Sequence, residues 1–363
     1  MKSIDALRGF DMFFIIGGAG LLCAISGLFP GGEESWLVRQ MTHVEWEGLH
    51  FMDVIFPVFV FIAGLTFPFS CARQRERGDS AARMHLRILR RSATLLLLGL
   101  LYNGFLKSDL HDFVHFRYFS VLGKIGIAWG VAALIYLHST VRGRLCACVG
   151  GLLGYWALLW VVAPDAPPGT SPWTLEGCFP GYLDRMFTPG HLYLKDMLEP
   201  SGPFVSLFGY PTALMGMLAG DLVRSGRLAP VRKVAALALT GACLLTLGWA
   251  LSPCCPVIKM LWTPSFMLVC GGIGYLAFAL FHWLIDVRGW SAWSFPFRLI
   301  GLNAILIYML GTIVNFVEIG DFFVGGAAAM CGAFGLVVRY AAALAVRGFL
   351  LYGLYRLNVF FKV

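Results

Sequence analysis

The chain has 363 residues, of which 58% are hydrophobic and 13% are charged, with a net charge of +8 and a mean hydropathy of +0.75. This composition excludes a soluble globular protein, in which about a quarter of the residues are charged. The apolar runs are continuous rather than alternating, which excludes a transmembrane β-barrel. We therefore expect an all-α, polytopic membrane helix bundle that forms a single domain over residues 1–363.

Apolar segments long enough to cross or nearly cross a bilayer recur along the whole chain, and about ten transmembrane helices are predicted. They lie at residues 9–29, 51–70, 92–106, 120–137, 145–163, 204–222, 234–251, 264–285, 297–316 and 338–355. No cleavable signal peptide is evident, so the first segment is expected to remain as a signal anchor. The polar segments 30–50 and 163–203 are long for simple turns and are predicted to be functional loops on the outer side.

The positive charge is distributed unevenly between the two sides of this topology. With the N-terminus in the cytoplasm, most of the 28 Lys and Arg residues fall in inside segments, and most acidic residues fall outside. The positive-inside rule therefore predicts that both termini are cytoplasmic. The arginine-rich segment 71–91 is interpreted as a solvated loop facing anionic lipid headgroups rather than a nucleic-acid site.

Several common cofactor motifs are missing from the sequence. It contains no P-loop, no dinucleotide-binding fingerprint and no paired cysteine or histidine spacing typical of a metal site, so no metal is predicted. Half of the ten cysteines lie in these apolar segments, where they behave as small hydrophobic residues. Cys178, Cys254 and Cys255 lie in outside loops, where a disulfide from Cys178 is conceivable in an oxidising compartment.

Charged residues lie near the ends of the first two segments. A charge at membrane depth is costly, so such residues are usually paired or functional. Asp5 and Arg8 have the spacing of an ion pair on one helix face. Asp53 enters the second segment ten residues after His43. A carboxylate can orient an imidazole and raise its basicity, as general base catalysis requires, although a loop histidine is more often only solvated.

Further polar residues lie within or beside later segments. Lys259 and Trp262 lie at the outer end of one segment, Asn303 lies inside another, and Arg117 and Lys124 flank the start of a third. Such groups either join helices by hydrogen bonds or line a polar cavity. The acidic and aromatic residues of the outer loops suggest a surface for a sugar-like ligand, and an interfacial aromatic belt is the alternative.

Taken together, eight groups of motifs resemble the heparan-α-glucosaminide N-acetyltransferase family of membrane acyltransferases, and the chain is interpreted as a bacterial member. They appear in family order across essentially the whole chain, up to residues 360–363. The groups are 3–9, 43–48 with 53–61, 117–125, 181–185 with 191–193, 200–202, 256–265, 286–290 and 301–308.

The resemblance implies an enzyme of the bacterial inner membrane that transfers the acetyl group of cytoplasmic acetyl-CoA to an amino sugar or glycan at the outer face. The family's catalytic histidine lies in a His-x-x-Trp-x-Gly motif, which here places it at His43. We expect His43 to act as a general base or as an acetyl carrier. Direct transfer is favoured, because an acetyl-imidazole near water would hydrolyse readily.

The resemblance also suggests roles for other residues. The eukaryotic family members have a preceding luminal domain, a further span and an asparagine near the outer end of the first matching helix, where this chain reads Ile16–Gly20. Asn303 or backbone N–H groups are therefore expected to stabilise the oxyanion. The predicted roles are catalytic for His43, Asp53 and Asn303, CoA-binding for Arg8, Arg117, Lys124 and Lys259, and substrate-binding for Trp46, Glu47, Asp184 and Trp262.

Other functions fit the same features and are kept as alternatives. O-acetylation of a cell-envelope glycan would use the same donor chemistry. A transporter or flippase for a sugar-type substrate would also need a polar cavity through the helices, although no inverted repeat is evident. A degenerate acyltransferase that serves as a binding scaffold is the third alternative. Some segment 71–91 arginines could contact CoA phosphates, and glycine-rich apolar surfaces leave a homodimer open.

Overall fold

The computed structural model describes residues 1–104, 116–188 and 190–361. Within these ranges the regular elements are helices, and the only β-type pairings are isolated bridges such as that between Glu47 and Ile258. The predicted all-α class is therefore confirmed. Residues 105 and 106 of the predicted segment 92–106 and the C-terminal residues 362 and 363 lie outside the described part of the chain.

Many of the described helices follow one another with short connections, and longer described segments between helices lie around 27–50, 160–178, 190–202 and 251–263. The α-helices are α1 Lys2–Phe13, α2 Ala19–Ser26, α3 Trp36–Gln40, α4 Phe51–Glu76, α5 Ala81–Tyr102, α6 Val121–His138, α7 Val141–Leu159, α8 Phe179–Phe187, α9 Pro203–Leu207, α10 Tyr210–Arg224, α11 Pro230–Ala250, α12 Pro264–Phe281, α13 Phe295–Leu302, α14 Ala304–Ile313, α15 Phe316–Met330 and α16 Gly335–Arg356. Two π-helical segments, Phe14–Gly18 and His282–Val287, continue α1 and α12.

Fewer helices than predicted are long and apolar enough to cross a membrane. By length and composition the described residues contain six, and the bent pair α13 and α14, which meet at 73°, would make seven. Every predicted apolar segment overlaps a helix. However, α10 has only 15 residues, and α5 and α7 carry arginines in their first turns. The structure thus supports a multi-pass membrane protein, while the count of about ten and the cytoplasmic termini stay predictions.

The first span is kinked at a glycine, Gly17. The π-helical segment Phe14–Gly18 joins α1 to α2, and Gly17 within it has a φ of 125°. A residue with a Cβ would be strained in that conformation, so the kink depends on glycine. π-helical insertions of this kind often lie at functional positions.

Contacts divide the chain into two compact units, and unit 1 comprises Met1–Glu45, Leu49–Ile55 and Ala277–Val363. Its helices α1 and α13 approach so closely that a Cβ at Gly9 would lie 1.6 Å from the carbonyl oxygen of Phe297. A Cβ at Gly301 would lie 1.9 Å from the carbonyl oxygen of Asp5. Two glycines therefore allow the backbones of these helices to touch.

Unit 2 comprises Trp46–Gly48 and Phe56–Leu276. Here α4 and α10 pack in the same way, because a Cβ at Gly64 or Gly216 would lie 2.0 Å from the opposing carbonyl oxygen. Large side chains such as Phe61 and Phe266 are fully buried beside them. Small residues at helix crossings are typical of membrane bundles, in which close packing replaces the hydrophobic effect.

All ten cysteines are free thiols in the structure, so the conceivable disulfide from Cys178 is not formed. Cys178 is buried, and its thiol donates to the carbonyl oxygen of Leu175 at 3.2 Å. Burial raises the pKa of this thiol to about 11. Cys178 therefore stays a neutral part of a small apolar cluster with Leu198, Ile258 and Leu261.

Candidate active site

His43 and Asp53, the predicted catalytic pair, are in direct contact within unit 1. Nδ1 of His43 lies 2.8 Å from Oδ1 of Asp53. The Asp53 side chain is 0% exposed, whereas that of His43 is 52% exposed. A buried carboxylate thus holds one nitrogen of a half-exposed imidazole.

Backbone N–H groups fix the Asp53 carboxylate in this position. Its Oδ2 accepts from the backbone N–H of Val44 at 3.2 Å and from that of His50 at 3.0 Å. His50 directly precedes α4, so Asp53 bonds back to the residue that caps its own helix, as the acid of a capping box does. The helix N-terminus also favours a negative charge here. These contacts join the loop that carries His43 to the start of α4.

The loop that carries His43 is ordered by short-range hydrogen bonds. Ser35 caps α3 by accepting from the backbone N–H of Val38 at 3.3 Å. At the other end of α3, Oε1 of Gln40 accepts from the backbone N–H of Phe51 at 2.9 Å. The latter bond satisfies one of the open donors at the start of α4. His43 is therefore placed by a rigid connection between two helices.

The contact with Asp53 determines which nitrogen of His43 is basic. A carboxylate accepts hydrogen bonds, so the neutral imidazole carries its proton on Nδ1 and presents the Nε2 lone pair. The same arrangement orients the histidine in catalytic triads, where the carboxylate stabilises the imidazolium that forms. The pair can therefore take a proton from a substrate and return it.

Three residues that follow His43 along the chain belong to unit 2. Nε1 of Trp46 donates to the carbonyl oxygen of Trp173 at 2.6 Å. Glu47 pairs with Ile258 in an isolated antiparallel bridge, and its side chain is exposed. The backbone N–H of Gly48 donates to Val257 at 2.9 Å. The Trp46–Gly48 segment is thus held by the two loop regions that precede α8 and α12.

Arg117, predicted to bind CoA, makes an ion pair inside unit 2. Its Nε and terminal nitrogen donate to the two carboxylate oxygens of Glu199 at 2.7 and 2.6 Å. Glu199 is 1% exposed, and the Arg117 guanidinium also lies 4.3 Å from the centre of the Tyr193 ring. A paired arginine of this kind positions the loop before α9.

Lys124 and Trp262 are also brought together, and both are 1% exposed. The ammonium group of Lys124 lies 3.7 Å from the centre of the Trp262 ring and donates to the carbonyl oxygen of Pro200 at 2.8 Å. Nε1 of Trp262 donates to Thr212 at 3.3 Å. Trp262 has a φ of 54°, an uncommon backbone conformation for a bulky residue that often accompanies a functional constraint.

Asp184 lies on α8 beside this pair and is likewise buried. It accepts from the backbone N–H of Glu199 at 2.9 Å and from the Thr188 hydroxyl at 3.2 Å. Burial raises the pKa of Asp184 to about 7. The carboxyl group therefore changes protonation near neutral pH, unlike an exposed aspartate.

Of three further predicted residues, Arg8 and Asn303 belong to unit 1 and Lys259 belongs to unit 2. Arg8 pairs with Asp5 at 3.8 Å, and both side chains are partly exposed. Asn303 is buried at the break between α13 and α14, where its amide donates to Val359 and accepts from the N–H of Phe361. Lys259 is partly exposed in the turn that precedes Trp262. Asn303 thus anchors the C-terminal segment in this structure.

Sequence reasoning missed two further acidic residues within apolar segments. Asp221 on α10 accepts from Arg144 at 2.5 Å and from the Tyr136 hydroxyl at 2.6 Å. Asp11 on α1 is buried, and its Oδ2 has no hydrogen-bond partner among the residues that the structure describes. Both are acids within apolar segments, and that pattern alone is a signal for a paired or functional group.

Two curated proteins are similar to this chain. One is the human heparan-alpha-glucosaminide N-acetyltransferase, which is 24% identical over 85% of this chain and 52% of its own length. The other is the mouse protein of the same name, also 24% identical, over 85% of this chain and 53% of its own length. The chain spans about half the length of these relatives. No protein-family model matches the chain. The matches confirm the resemblance inferred from the motifs, as a distant relationship.

Proposed function

We propose that this protein is a membrane acetyltransferase that moves the acetyl group of acetyl-CoA to the amine of a glucosamine-like sugar. The observation that supports this most directly is the 2.8 Å contact between the half-exposed His43 and the buried Asp53. Both relatives carry the name of an N-acetyltransferase that acts on a glucosaminide. Together they indicate acetyl transfer assisted by an oriented base.

The proposed reaction is direct transfer. The amine nitrogen of the acceptor attacks the thioester carbonyl carbon, and Nε2 of His43 takes the proton that this nitrogen loses. The C–S bond then breaks, and the CoA thiolate receives the proton back from the imidazolium. Asp53 stabilises the positive charge that His43 carries between these two transfers. Because a thioester is already activated, alignment and proton transfer are the main tasks left to the enzyme.

The donor is proposed to meet a basic residue at the entrance to its binding cavity. Of the predicted CoA-binding residues, Arg8 is the best placed to exchange partners, because its contact with Asp5 is long and partly exposed. To contact CoA, Arg117 would first have to break its hydrogen bonds to Glu199, and Lys124 its hydrogen bond to Pro200. We therefore rank Arg8 first for phosphate contact, and Lys259 second because of its partial exposure.

The acceptor is proposed to bind where the outer loops present acidic and aromatic groups. Glu47 is exposed and belongs to the same 43–48 motif of the sequence as His43. A carboxylate at this point can accept hydrogen bonds from sugar hydroxyl groups or pair with a sugar ammonium group. Transfer at the outer face of a bacterial inner membrane, with cytoplasmic acetyl-CoA as donor, completes the proposal.

The test uses the purified full chain in detergent or nanodiscs, with acetyl-labelled CoA and a panel of free and glycan-terminal amino sugars. N-acetylated product is expected with the unsubstituted chain. His43→Gln should reduce the rate by about 10²–10⁴-fold, the usual contribution of a general base. His191→Gln is the matched control, because His191 is also partly exposed and bonded to an aspartate, Asp196 at 2.6 Å. Its rate should stay near that of the unsubstituted chain.

The outcomes separate the alternatives. Equal loss of activity in both histidine variants, or full activity in His43→Gln, would contradict the role of His43. A labelled acetyl-enzyme that forms without acceptor and requires His43 would replace direct transfer by an acetyl-histidine route. Labelled product only with hydroxyl acceptors would indicate O-acetylation, and sugar uptake into vesicles without acetyl-CoA would indicate transport.

A further inference from the structure

A second pair of histidines lies in unit 2, at the start of α5 and the end of α6. The Nε2 atoms of His85 and His138 are 2.8 Å apart, and the ring centres are 4.9 Å apart. His138 is exposed and His85 is partly exposed. The two helices pack along their length, so the pair bridges neighbouring helices at a surface that solutes can reach.

The outer nitrogen of His85 already has the partner that a metal-binding histidine needs. Its Nδ1 donates to the carbonyl oxygen of Ala81 at 2.7 Å. A carbonyl oxygen cannot donate, so a neutral His85 carries its proton on Nδ1 and directs the Nε2 lone pair at His138. A backbone carbonyl that fixes the tautomer in this way is typical of the outer shell of metal sites.

The other ligand is held by the end of α6. Arg144 donates to the carbonyl oxygens of Tyr136 and Ser139 at 3.1 and 3.0 Å, one on each side of His138 along the chain. Arg144 is itself buried and paired with Asp221. The backbone of His138 is thus fixed before any ligand binds, which lowers the entropic cost of bringing two imidazoles together.

We propose that His85 and His138 form a two-histidine site for a divalent transition metal of the copper(II) or nickel(II) type. With metal–nitrogen distances of about 2.0–2.1 Å, two nitrogens at a right angle are about 2.9 Å apart, whereas tetrahedral ligands are about 3.4 Å apart. The separation of 2.8 Å is that of the hydrogen bond between the rings and lies close to the right-angle value, so rotation of the two rings would direct both lone pairs at one ion with little change in this distance. This departs from the sequence, in which no metal site was predicted.

Coordination by two imidazoles requires one proton to move. Without metal, the hydrogen bond between the rings places a proton on Nε2 of His138. When metal binds, that proton relocates to Nδ1 of the same ring, and both Nε2 lone pairs bind the ion. In the described ranges no group of three or more His, Cys, Asp or Glu residues is arranged to hold a metal. Water therefore fills the other positions, and the ion joins the ends of two helices.

The experiment titrates the full chain, purified without a histidine tag, with copper(II) chloride and with nickel(II) chloride. Calorimetry is expected to give one site per chain, and the copper(II) paramagnetic resonance spectrum should show two coupled nitrogens. His85→Gln and His138→Gln should each weaken binding by about 100-fold or more, since outer-shell changes alone cost 10–100-fold. His191→Gln, which alters an exposed histidine elsewhere in unit 2, should leave the site intact.

Two results would overturn the proposal. One is a copper spectrum of the unsubstituted chain without two histidine nitrogens. The other is unchanged affinity in both His85→Gln and His138→Gln. Thermal unfolding in the presence of EDTA shows whether each variant is folded, and a variant that fails this check leaves the decision to the spectrum of the unsubstituted chain. Acetyl transfer does not enter the readout, so the outcome is independent of the proposed function.

Discussion

The His43–Asp53 contact in unit 1 and the Arg117–Glu199 contact in unit 2 are both pairs of a cation-forming side chain and a buried acid. They differ in the accessibility of the basic side chain. That of His43 is 52% exposed, whereas that of Arg117 is 28% exposed and directs two donors at Glu199. Both acids are buried, so exposure of the basic side chain is the difference that supports the proposed catalytic role of His43.

Asp53→Asn tests the catalytic side of this comparison and has the largest expected effect. The amide keeps the size of the carboxylate but can donate to Nδ1, which favours the wrong tautomer of His43. We expect the rate of acetyl transfer to fall by up to about 10⁴-fold, as when the triad aspartate of a serine protease becomes asparagine. Activity within a factor of two of the unsubstituted chain would show that Asp53 only supports the fold.

Glu199→Ala tests the structural side. Arg117 loses its partner, and the N–H of Ser201, which donates to Glu199 at 3.0 Å, is left unsatisfied. We expect a loss of about 3 kcal/mol in unfolding free energy, the low end for a broken buried pair, because Arg117 is 28% exposed. The melting temperature measures this effect. If instead KM for acetyl-CoA rises with no change in melting temperature, the pair binds substrate.

Asp184 makes the stability of the folded chain depend on pH. Its pKa is raised from 3.8 to about 7 in the folded chain, so the folded state retains a proton that the unfolded state releases. This contribution to stability is complete below about pH 4 and is lost as the pH rises through 7. The melting temperature should fall over this range by about 5 °C more than in Asp184→Asn. Parallel pH curves for the two proteins would refute this assignment.

Lys124→Met is expected to have the smallest effect. Methionine has a side chain of similar length over Trp262 but carries no charge. The contacts of the ammonium group are lost, but the free-energy cost of burying that group is removed as well, and the two effects offset each other. We expect a change within about 1 kcal/mol in unfolding free energy and an unchanged KM for acetyl-CoA. A large rise in that KM would return Lys124 to its predicted role in CoA binding.

The helices could be predicted from hydropathy more reliably than the spans could be counted. Each predicted apolar segment overlaps a helix, but α15 was missed because its 15 residues include Glu318 and Asp321. The segment 297–316 was read as one span, whereas Asn303 divides it into two helices that meet at 73°. Hydropathy averages over a window and cannot detect a single residue that breaks a helix.

The candidate site was predictable only where its parts are close in sequence. His43 and Asp53 are ten residues apart, and their contact was expected. The backbone groups of Val44 and His50 that hold Asp53 were not, because their directions depend on the loop conformation. Glu199, the partner of Arg117, lies 82 residues away. No local pattern identifies a partner at that distance.

The glycine contact between α1 and α13 has a consequence for the order in which the chain is assembled. The two helices lie far apart along the chain, and the hydrogen bond from Ser3 to Asp286 joins residues 283 positions apart. At a synthesis rate of about 5–20 residues per second, α13 is made of the order of 15–60 seconds after α1. During that interval α1 has to remain stable in the bilayer without α13, the helix against which Gly9 packs.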